Sequence, residues 1–188
     1  MPPPSRRPSS LATASNLLTV SRLVLLPLVL IALARGAVWW AVGLMVLAYL
    51  TDLADGRLAR RLHQAGVTGR TLDTAVDFIF IYGLFIAFYF AGRIPTYQFA
   101  VLYLVKLGTL AVQYLRLNPS QPRDLPATPL RKLAGAFGYA YVLVVMLRLV
   151  APADPSLTLA QIVIFALLTL TMLLNAAECW TRPCRSPA

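Results

Sequence analysis

Long apolar stretches dominate this chain and restrict the folds that are open to it. Six of them follow one another, and the last, from about 155 to 177, contains no charged residue. A helix of about 20 apolar residues crosses the ~30 Å hydrocarbon layer of a bilayer. Hydrophobic residues make up 59% of the 188 residues, which excludes an ordinary soluble domain. The sequence therefore predicts an all-α integral membrane protein, a bundle of six transmembrane helices.

Each stretch is close to the length of a membrane-spanning helix. The six cover about 17–34, 37–62, 71–92, 95–115, 129–147 and 155–177. Arg22 and Pro27 interrupt the first, and Lys106 lies midway along the fourth. We expect residues 16–180 to form one membrane domain, preceded by a disordered cytosolic tail at 1–15 and followed by a short cytosolic tail at 181–188.

The distribution of basic residues predicts the orientation of this bundle. The chain has 17 Lys and Arg against 7 Asp and Glu. Most of the basic residues fall in the tails and in the loops after the second and fourth stretches, whereas the opposite loops hold only Arg35, Arg93 and Arg148. By the positive-inside rule, both termini face the cytosol. Since the basic residues flank apolar runs, anionic lipid headgroups explain them, and no nucleic-acid partner is expected.

Four of the seven acidic residues fall within one window, at Asp52, Asp55, Asp73 and Asp77. Their i,i+3 and i,i+4 spacings place each pair on one helix face, and a short turn around 66–69 would bring all four to a similar depth near the cytosolic end. Carboxylates at membrane depth require compensating positive charge. Because all the ligands are oxygens, the window predicts two Mg²⁺ or Mn²⁺ ions, a site suited to in-line displacement at phosphorus.

Small residues and an arginine accompany these carboxylates. Gly56 and Ala59 leave the helix surface open to a ligand, and Arg60 could bind a diphosphate with its two-pronged guanidinium. The alternative interpretation is that the aspartates pair with arginines in a packed pair of helices. Four carboxylates need more positive charge than Arg60 alone supplies, which favours the metal site.

The window resembles the signature of the CDP-alcohol phosphotransferase family, D-x-x-D-G-x-x-A-R-x8-G-x-x-x-D-x-x-x-D, and meets every fixed position between Asp52 and Asp77. The resemblance implies transfer of a substituted phosphate from a CDP-linked lipid, CDP-diacylglycerol, to an alcohol with release of CMP. It also implies that the four aspartates bind two divalent metals and that Asp77 is the catalytic base. The CDP site that it implies consists of Asp55, Gly56, Ala59, Arg60 and Gly69.

The first helix bears on the identity of the acceptor alcohol. The stretch Asn16-Leu-Leu-Thr19-Val-Ser-Arg22, followed by Pro27, is similar to the start of phosphatidylglycerophosphate synthases and related cardiolipin synthases. That similarity favours glycerol 3-phosphate, with phosphatidylglycerol or an inositol phosphate as alternatives. The run from Leu72 to Phe78 departs from these enzymes because it lacks their proline and lysine. Candidate ligands of an acceptor phosphate, or mere topology signals, are Arg116, Arg131 and Lys132.

The resemblance also implies a homodimer, and a short single-domain chain fits the bacterial inner membrane with its active site facing the cytosol. Two other classes use the same residues: a divalent-metal transporter and a non-catalytic lipid-binding scaffold. Transporter sites usually lie near the bilayer midplane between repeats. Here the acids lie toward one face, and no internal repeat is visible, which favours the enzyme.

Overall fold

The computed structural model describes the backbone of residues 14–61, 67–116 and 129–181, and the side chains of 21–54, 75–112, 129–178 and 180–181. These ranges contain six helices and no strand. The helices are α1 (Ala14–Ala34), α2 (Val38–Arg61), α3 (Val67–Phe90), α4 (Thr96–Arg116), α5 (Pro129–Val150) and α6 (Pro155–Thr181). The all-α prediction is confirmed for this part of the chain.

The helix boundaries follow the predicted stretches closely, with one informative difference. Helix α3 begins at Val67 rather than near 71, so Gly69 belongs to the helix and not to a turn. Residues 62–66, which lie outside the described part, separate α2 from α3. Hydropathy identifies only the apolar part of a helix, and the polar first turn of α3 therefore escaped it.

Two glycines end helices in the same way. Gly36 and Gly92 have φ angles of 70° and 67°, in the left-handed region that glycine adopts without steric cost. After α1, the Gly36 N–H donates to the Leu33 carbonyl at 3.0 Å and the Ala37 N–H donates to the Ala32 carbonyl at 2.9 Å. This is a Schellman motif, and the backbone bonds after α3 at Gly92 repeat it.

Packing divides the chain into two compact units, Met1–Leu84 and Phe85–Ala188. In the first unit, α1 packs against α2. The buried face of α1 carries Arg22, Leu25 and Val29, spaced about one turn apart. A methyl group added to Gly83 of α3 would lie 3.2 Å from Leu26 Cδ2, so α3 also approaches α1 closely.

The second unit is built on α6, which packs against both α4 and α5. Its core includes Tyr141, Val142 and Met146 of α5 together with Leu102 of α4 and Leu168 of α6. Phe85 meets the ring of Tyr141 edge to face, with centroids 5.4 Å apart. Aromatic pairs in this geometry stabilise a core beyond what the burial of their surface alone contributes.

Two of the described helices are long and apolar enough to cross a membrane, Pro129–Val150 and Pro155–Glu178. The core helix of a soluble protein would be mostly buried, yet only 22% of the most apolar window of α6 is buried. Trp39, Trp40 and Trp180 are exposed near helix ends, where tryptophan is enriched at membrane interfaces. These features fit a membrane protein, while the apolar parts of α1 to α4 are shorter, and the count of six spans stays a prediction.

Candidate functional site

A buried arginine joins two of the four motif aspartates. Arg22 of α1 has a fully buried side chain, and its Nη1 donates to Asp52 Oδ1 at 3.0 Å. The same nitrogen also donates to Asp77 Oδ1. The side chains of Asp52 and Asp77 remain 25% and 36% exposed. One cation from α1 therefore holds carboxylates from α2 and α3, and both carboxylates stay accessible from outside.

Helix geometry explains why these three residues meet. At 1.5 Å per residue, Arg22 lies roughly 12 Å after the start of α1, Asp52 roughly 14 Å before the end of α2 and Asp77 roughly 15 Å after the start of α3. Asp52 follows Ala48 by one turn, on the face of α2 that is buried against α1. The apolar faces that pack the first unit thus carry the charged residues to one depth.

Among the described side chains of this cluster, negative charge exceeds positive charge, because one guanidinium faces two carboxylates. Negative charge that is partly withdrawn from water is costly unless a cation offsets it. A further positive group beside Asp52 and Asp77, from the chain or from a bound cation, would therefore be stabilising.

The residues present fit a divalent cation. The Oδ1 atoms of Asp52 and Asp77 come from different helices and converge on a single cationic nitrogen. A hard divalent ion such as Mg²⁺ prefers a convergent set of carboxylate oxygens of this kind. The neighbouring Thr51 hydroxyl donates to the Ala48 carbonyl of the same helix at 2.8 Å.

Several predicted site residues lie outside the described side chains. They are Asp55, Gly56, Ala59, Arg60, Gly69, Asp73 and Arg116. Among the side chains that are described, no three potential metal ligands come together. The structure therefore brings together Asp52 and Asp77, while the four-aspartate site stays a prediction.

The two remaining candidates for an acceptor phosphate belong to the second unit. Arg131 is half-buried and Lys132 is exposed, both in the first turn of α5. They remain candidates on the strength of their charge and position alone.

Arg22 is the site residue that sequence reasoning missed. The sequence indicated that the four acids need more positive charge than Arg60 alone supplies, and it also showed an arginine inside an apolar helix. Those two signals belong together, because an arginine in such a helix and an excess of carboxylates each need the other. Separations of 30 and 55 residues along the chain concealed the contact.

A second polar cluster lies in the other unit and contains no acidic residue. The Tyr141 hydroxyl donates to Gln98 Oε1 at 2.6 Å, and Gln161 Nε2 donates to Gln98 Oε1 at 3.0 Å and to the Tyr141 hydroxyl at 3.2 Å. Arg148 donates to Gln161 Oε1. We call Gln98, Tyr141, Arg148 and Gln161 the glutamine network; it links α4, α5 and α6 through hydrogen bonds between buried or half-buried groups.

An all-α chain with exposed apolar surfaces and acidic residues on two helices fits the class of helical membrane proteins. Comparison with known proteins identifies the family within that class. The family model described as CDP-alcohol phosphatidyltransferase matches residues 12–180. The chain belongs to this family, and the resemblance seen in the motif is confirmed.

Three relatives illustrate the range of the similarity. A Mycobacterium tuberculosis protein provisionally named cardiolipin synthase is 34% identical over 68% of this chain and 60% of its own length. The Streptomyces coelicolor cardiolipin synthase (CMP-forming) is 31% identical over 48% of this chain and 45% of its own length. A second M. tuberculosis protein, provisionally named phosphatidylglycerophosphate synthase, is 29% identical over 93% of this chain and 83% of its own length. The chain thus spans 60% of the length of the mycobacterial cardiolipin synthase homologue.

Proposed function

We propose that the protein transfers a phosphatidyl group from CDP-diacylglycerol to an alcohol and releases CMP. The observation that supports this most directly is the convergence of the Asp52 and Asp77 carboxylates on one cationic centre. Family membership supports the same chemistry, and the Streptomyces relative is named as CMP-forming. The motif from Asp52 to Asp77 supplies the residues for it.

The reaction is a displacement at phosphorus. The alcohol oxygen forms a bond to the phosphorus that carries diacylglycerol, and the bond from that phosphorus to the bridging oxygen breaks with its electron pair going to CMP. Asp77 takes the proton of the alcohol. Because Oδ1 of Asp77 is held by Arg22, we assign the proton to its other oxygen, Oδ2. Two Mg²⁺ or Mn²⁺ ions on Asp52, Asp55, Asp73 and Asp77 would offset the charge of the diphosphate.

The nucleotide is proposed to bind along the helices that carry the motif. Gly56 and Ala59 present little side chain, which allows the CDP group to approach the backbone of α2. Arg60 would bind the diphosphate through paired hydrogen bonds, since a guanidinium matches phosphate geometry. Gly69 would face the same group from α3.

The acceptor is proposed to be a glycerol derivative that carries a phosphate. Glycerol 3-phosphate is the first candidate, on the basis of the Asn16–Arg22 stretch and of the relative that aligns with 93% of this chain. Phosphatidylglycerol is the second, because the relative at 34% identity is provisionally named cardiolipin synthase. Both alcohols present a glycerol hydroxyl and a phosphate, and Arg116, Arg131 and Lys132 are the candidate ligands for that phosphate.

The proposed setting is a bacterial inner membrane, with both termini and the active site facing the cytosol. The basic loops support this orientation. It also suits the products, since CMP is water-soluble and the lipid stays in the bilayer. We further propose a homodimer, as the family resemblance implies.

The test is a CMP-release assay on the purified full-length protein in lipid nanodiscs. CDP-diacylglycerol and Mg²⁺ are supplied with one alcohol at a time: glycerol 3-phosphate, phosphatidylglycerol, inositol 1-phosphate or serine. We expect release with a glycerol-phosphate acceptor. Asp77→Asn should abolish release, whereas Asp154→Asn, a matched change at a partly exposed aspartate outside the motif, should preserve it.

Failure of the assay has a specific meaning. If folded protein releases no CMP with any of these alcohols, the transferase proposal is wrong. Uptake of Mn²⁺ into vesicles containing the protein would then support the transporter instead. Absence of both activities would support the lipid-binding scaffold.

A further inference from the structure

Arg22 is the one charged residue among the described side chains that is fully buried. It contacts two motif aspartates from two other helices through a single nitrogen. We propose that Arg22 is a positioning residue, a built-in counter-ion that holds Asp52 and Asp77 together and competes with a divalent cation for their Oδ1 atoms. This inference rests on the proposed metal-dependent transferase.

Competition follows from the geometry. Both Oδ1 atoms already accept a hydrogen bond from the same Nη1. A metal ion that takes these two oxygens must displace the guanidinium or share them with it. The guanidinium keeps its positive charge at any physiological pH, so it also repels the incoming ion.

Burial argues that Arg22 has a role beyond packing. Leu25 and Val29 share its face of α1, and an apolar side chain at position 22 would extend that face without the cost of a buried charge. Arginine at this depth is acceptable because the carboxylates of Asp52 and Asp77 pair with it. In return, the carboxylates are held in a convergent arrangement that does not depend on a metal ion.

The consequence is a coupling between Arg22 and metal affinity. By linkage, a residue that competes with an ion for its ligands weakens binding of that ion, and removing the residue strengthens it. Removing Arg22 should also leave the fold of the first unit dependent on the ion, because two carboxylates would then face each other without the guanidinium between them.

The experiment measures Mn²⁺ binding and thermal unfolding rather than activity. Free Mn²⁺ is quantified by its electron paramagnetic resonance signal, using full-length protein in nanodiscs of phosphatidylcholine. We expect Arg22→Met to bind Mn²⁺ roughly tenfold more tightly than the native protein, as removal of a unit positive charge a few ångströms away predicts. Its unfolding temperature should rise on adding Mn²⁺ by more than that of the native protein, and Arg22→Lys should be intermediate.

Arg148→Met is the matched control. It removes the same charge from a half-buried arginine, but Arg148 donates to the neutral side chain of Gln161. Its Mn²⁺ affinity should equal that of the native protein. A change as large as that of Arg22→Met would show that net charge, and not the contact with the aspartates, is responsible, and would overturn the proposal.

Other outcomes are equally decisive. Equal or weaker Mn²⁺ binding by Arg22→Met, with a native protein that does bind Mn²⁺, overturns the role of Arg22 and leaves the transferase proposal intact. If Arg22→Met is recovered folded only in Mn²⁺, the ion has replaced the arginine, which supports the proposal; if it folds under neither condition, the proposal is wrong. A native protein that binds no Mn²⁺ or Mg²⁺ would overturn the proposed metal site itself, and this inference with it.

Discussion

Polar side chains enter the apolar interior of both units, and the two units treat them in opposite ways. In the glutamine network, amide and hydroxyl donors meet amide and hydroxyl acceptors, and Arg148 donates to the side-chain oxygen of Gln161. In the first unit, one arginine meets two aspartates, and the aspartates stay partly exposed. A network in which donors meet acceptors can offset much of its own cost of burial, whereas two carboxylates that share one cation carry a surplus of negative charge.

The difference separates structure from function. In the second unit, hydrogen bonds between Gln98, Tyr141 and Gln161 join α4, α5 and α6. The partly exposed carboxylates of Asp52 and Asp77 are the groups proposed to bind a metal ion. Substitutions in the two regions should therefore affect different measurements, and this expectation can be tested in order of decreasing effect.

The largest effect is expected at Asp77. Asp77→Asn removes the proposed base and a proposed metal ligand, so the rate of CMP release should fall by a factor of roughly 10³ or more. Arg22 keeps Asp52 as a partner, and the variant should be recovered folded. The measurement is CMP release per folded protein, with the unfolding temperature recorded in parallel.

Glutamine-network variants provide the comparison for this result. If Asp77→Asn loses activity and stability together, while a network variant does the same, the two regions are not distinct. The two regions are distinct only if Asp77→Asn lowers CMP release while its unfolding temperature stays at the native value.

Much of this arrangement could be predicted from the sequence. Apolar stretches predicted the helices, and the spacing between Asp52 and Asp77 predicted that α2 and α3 carry acids at one depth. The contact with Arg22 could not be predicted, because it depends on which face of α1 turns toward α2. Likewise, Gln98 and Gln161 are 63 residues apart, and nothing local indicates that they meet.

The second-largest effect is expected in the glutamine network. Gln161→Leu removes the acceptor of Arg148 and the donor to Gln98 and Tyr141, so buried polar groups lose their partners. The free energy of unfolding should fall by about 2–3 kcal/mol. CMP release per folded protein should stay unchanged.

Tyr97→Phe is the control for this variant. Tyr97 is exposed and its hydroxyl accepts a hydrogen bond from Gln98 Nε2, at 3.1 Å. Its loss should lower the free energy of unfolding by less than about 1 kcal/mol, since water can replace the contact. An equal loss of unfolding free energy in both variants would show that the hydrogen bonds among the buried members of the glutamine network add no stability.

A smaller effect, the same in both units, is expected at the helix caps. Gly36→Ala and Gly92→Ala each place a methyl group on a left-handed backbone and should cost about 1–2 kcal/mol of unfolding free energy. Gly43→Ala, at a helical position with no atom near the added methyl, should not destabilise. Thermal unfolding measures all three variants. A loss of CMP release per folded protein in a cap variant would contradict the expectation that the caps contribute to stability alone.

The smallest effect is expected at Asp154, an aspartate that caps the start of a helix. Asp154 precedes Pro155 at the start of α6, and its Oδ1 accepts hydrogen bonds from the hydroxyl and the backbone N–H of Ser156 at 2.7 and 2.8 Å. These two hydrogen bonds lower the pKa of the Asp154 carboxyl below its usual value, and the bond from the Ser156 hydroxyl contributes the larger part. A carboxyl with a lowered pKa in the folded state stabilises the fold above its unfolded pKa of about 3.9, and this contribution disappears as the pH falls through the lower, folded value.

Asp154→Ala should therefore unfold at a slightly lower temperature than the native protein at pH 7, and the difference should shrink toward pH 3. Asp154→Ser, which keeps a capping oxygen, should recover part of the loss at pH 7, and the difference between the Ser and Ala variants should not depend on pH because neither side chain titrates. A pH-independent difference for Asp154→Ala would mean that this aspartate, unlike Asp77, contributes nothing through its charge.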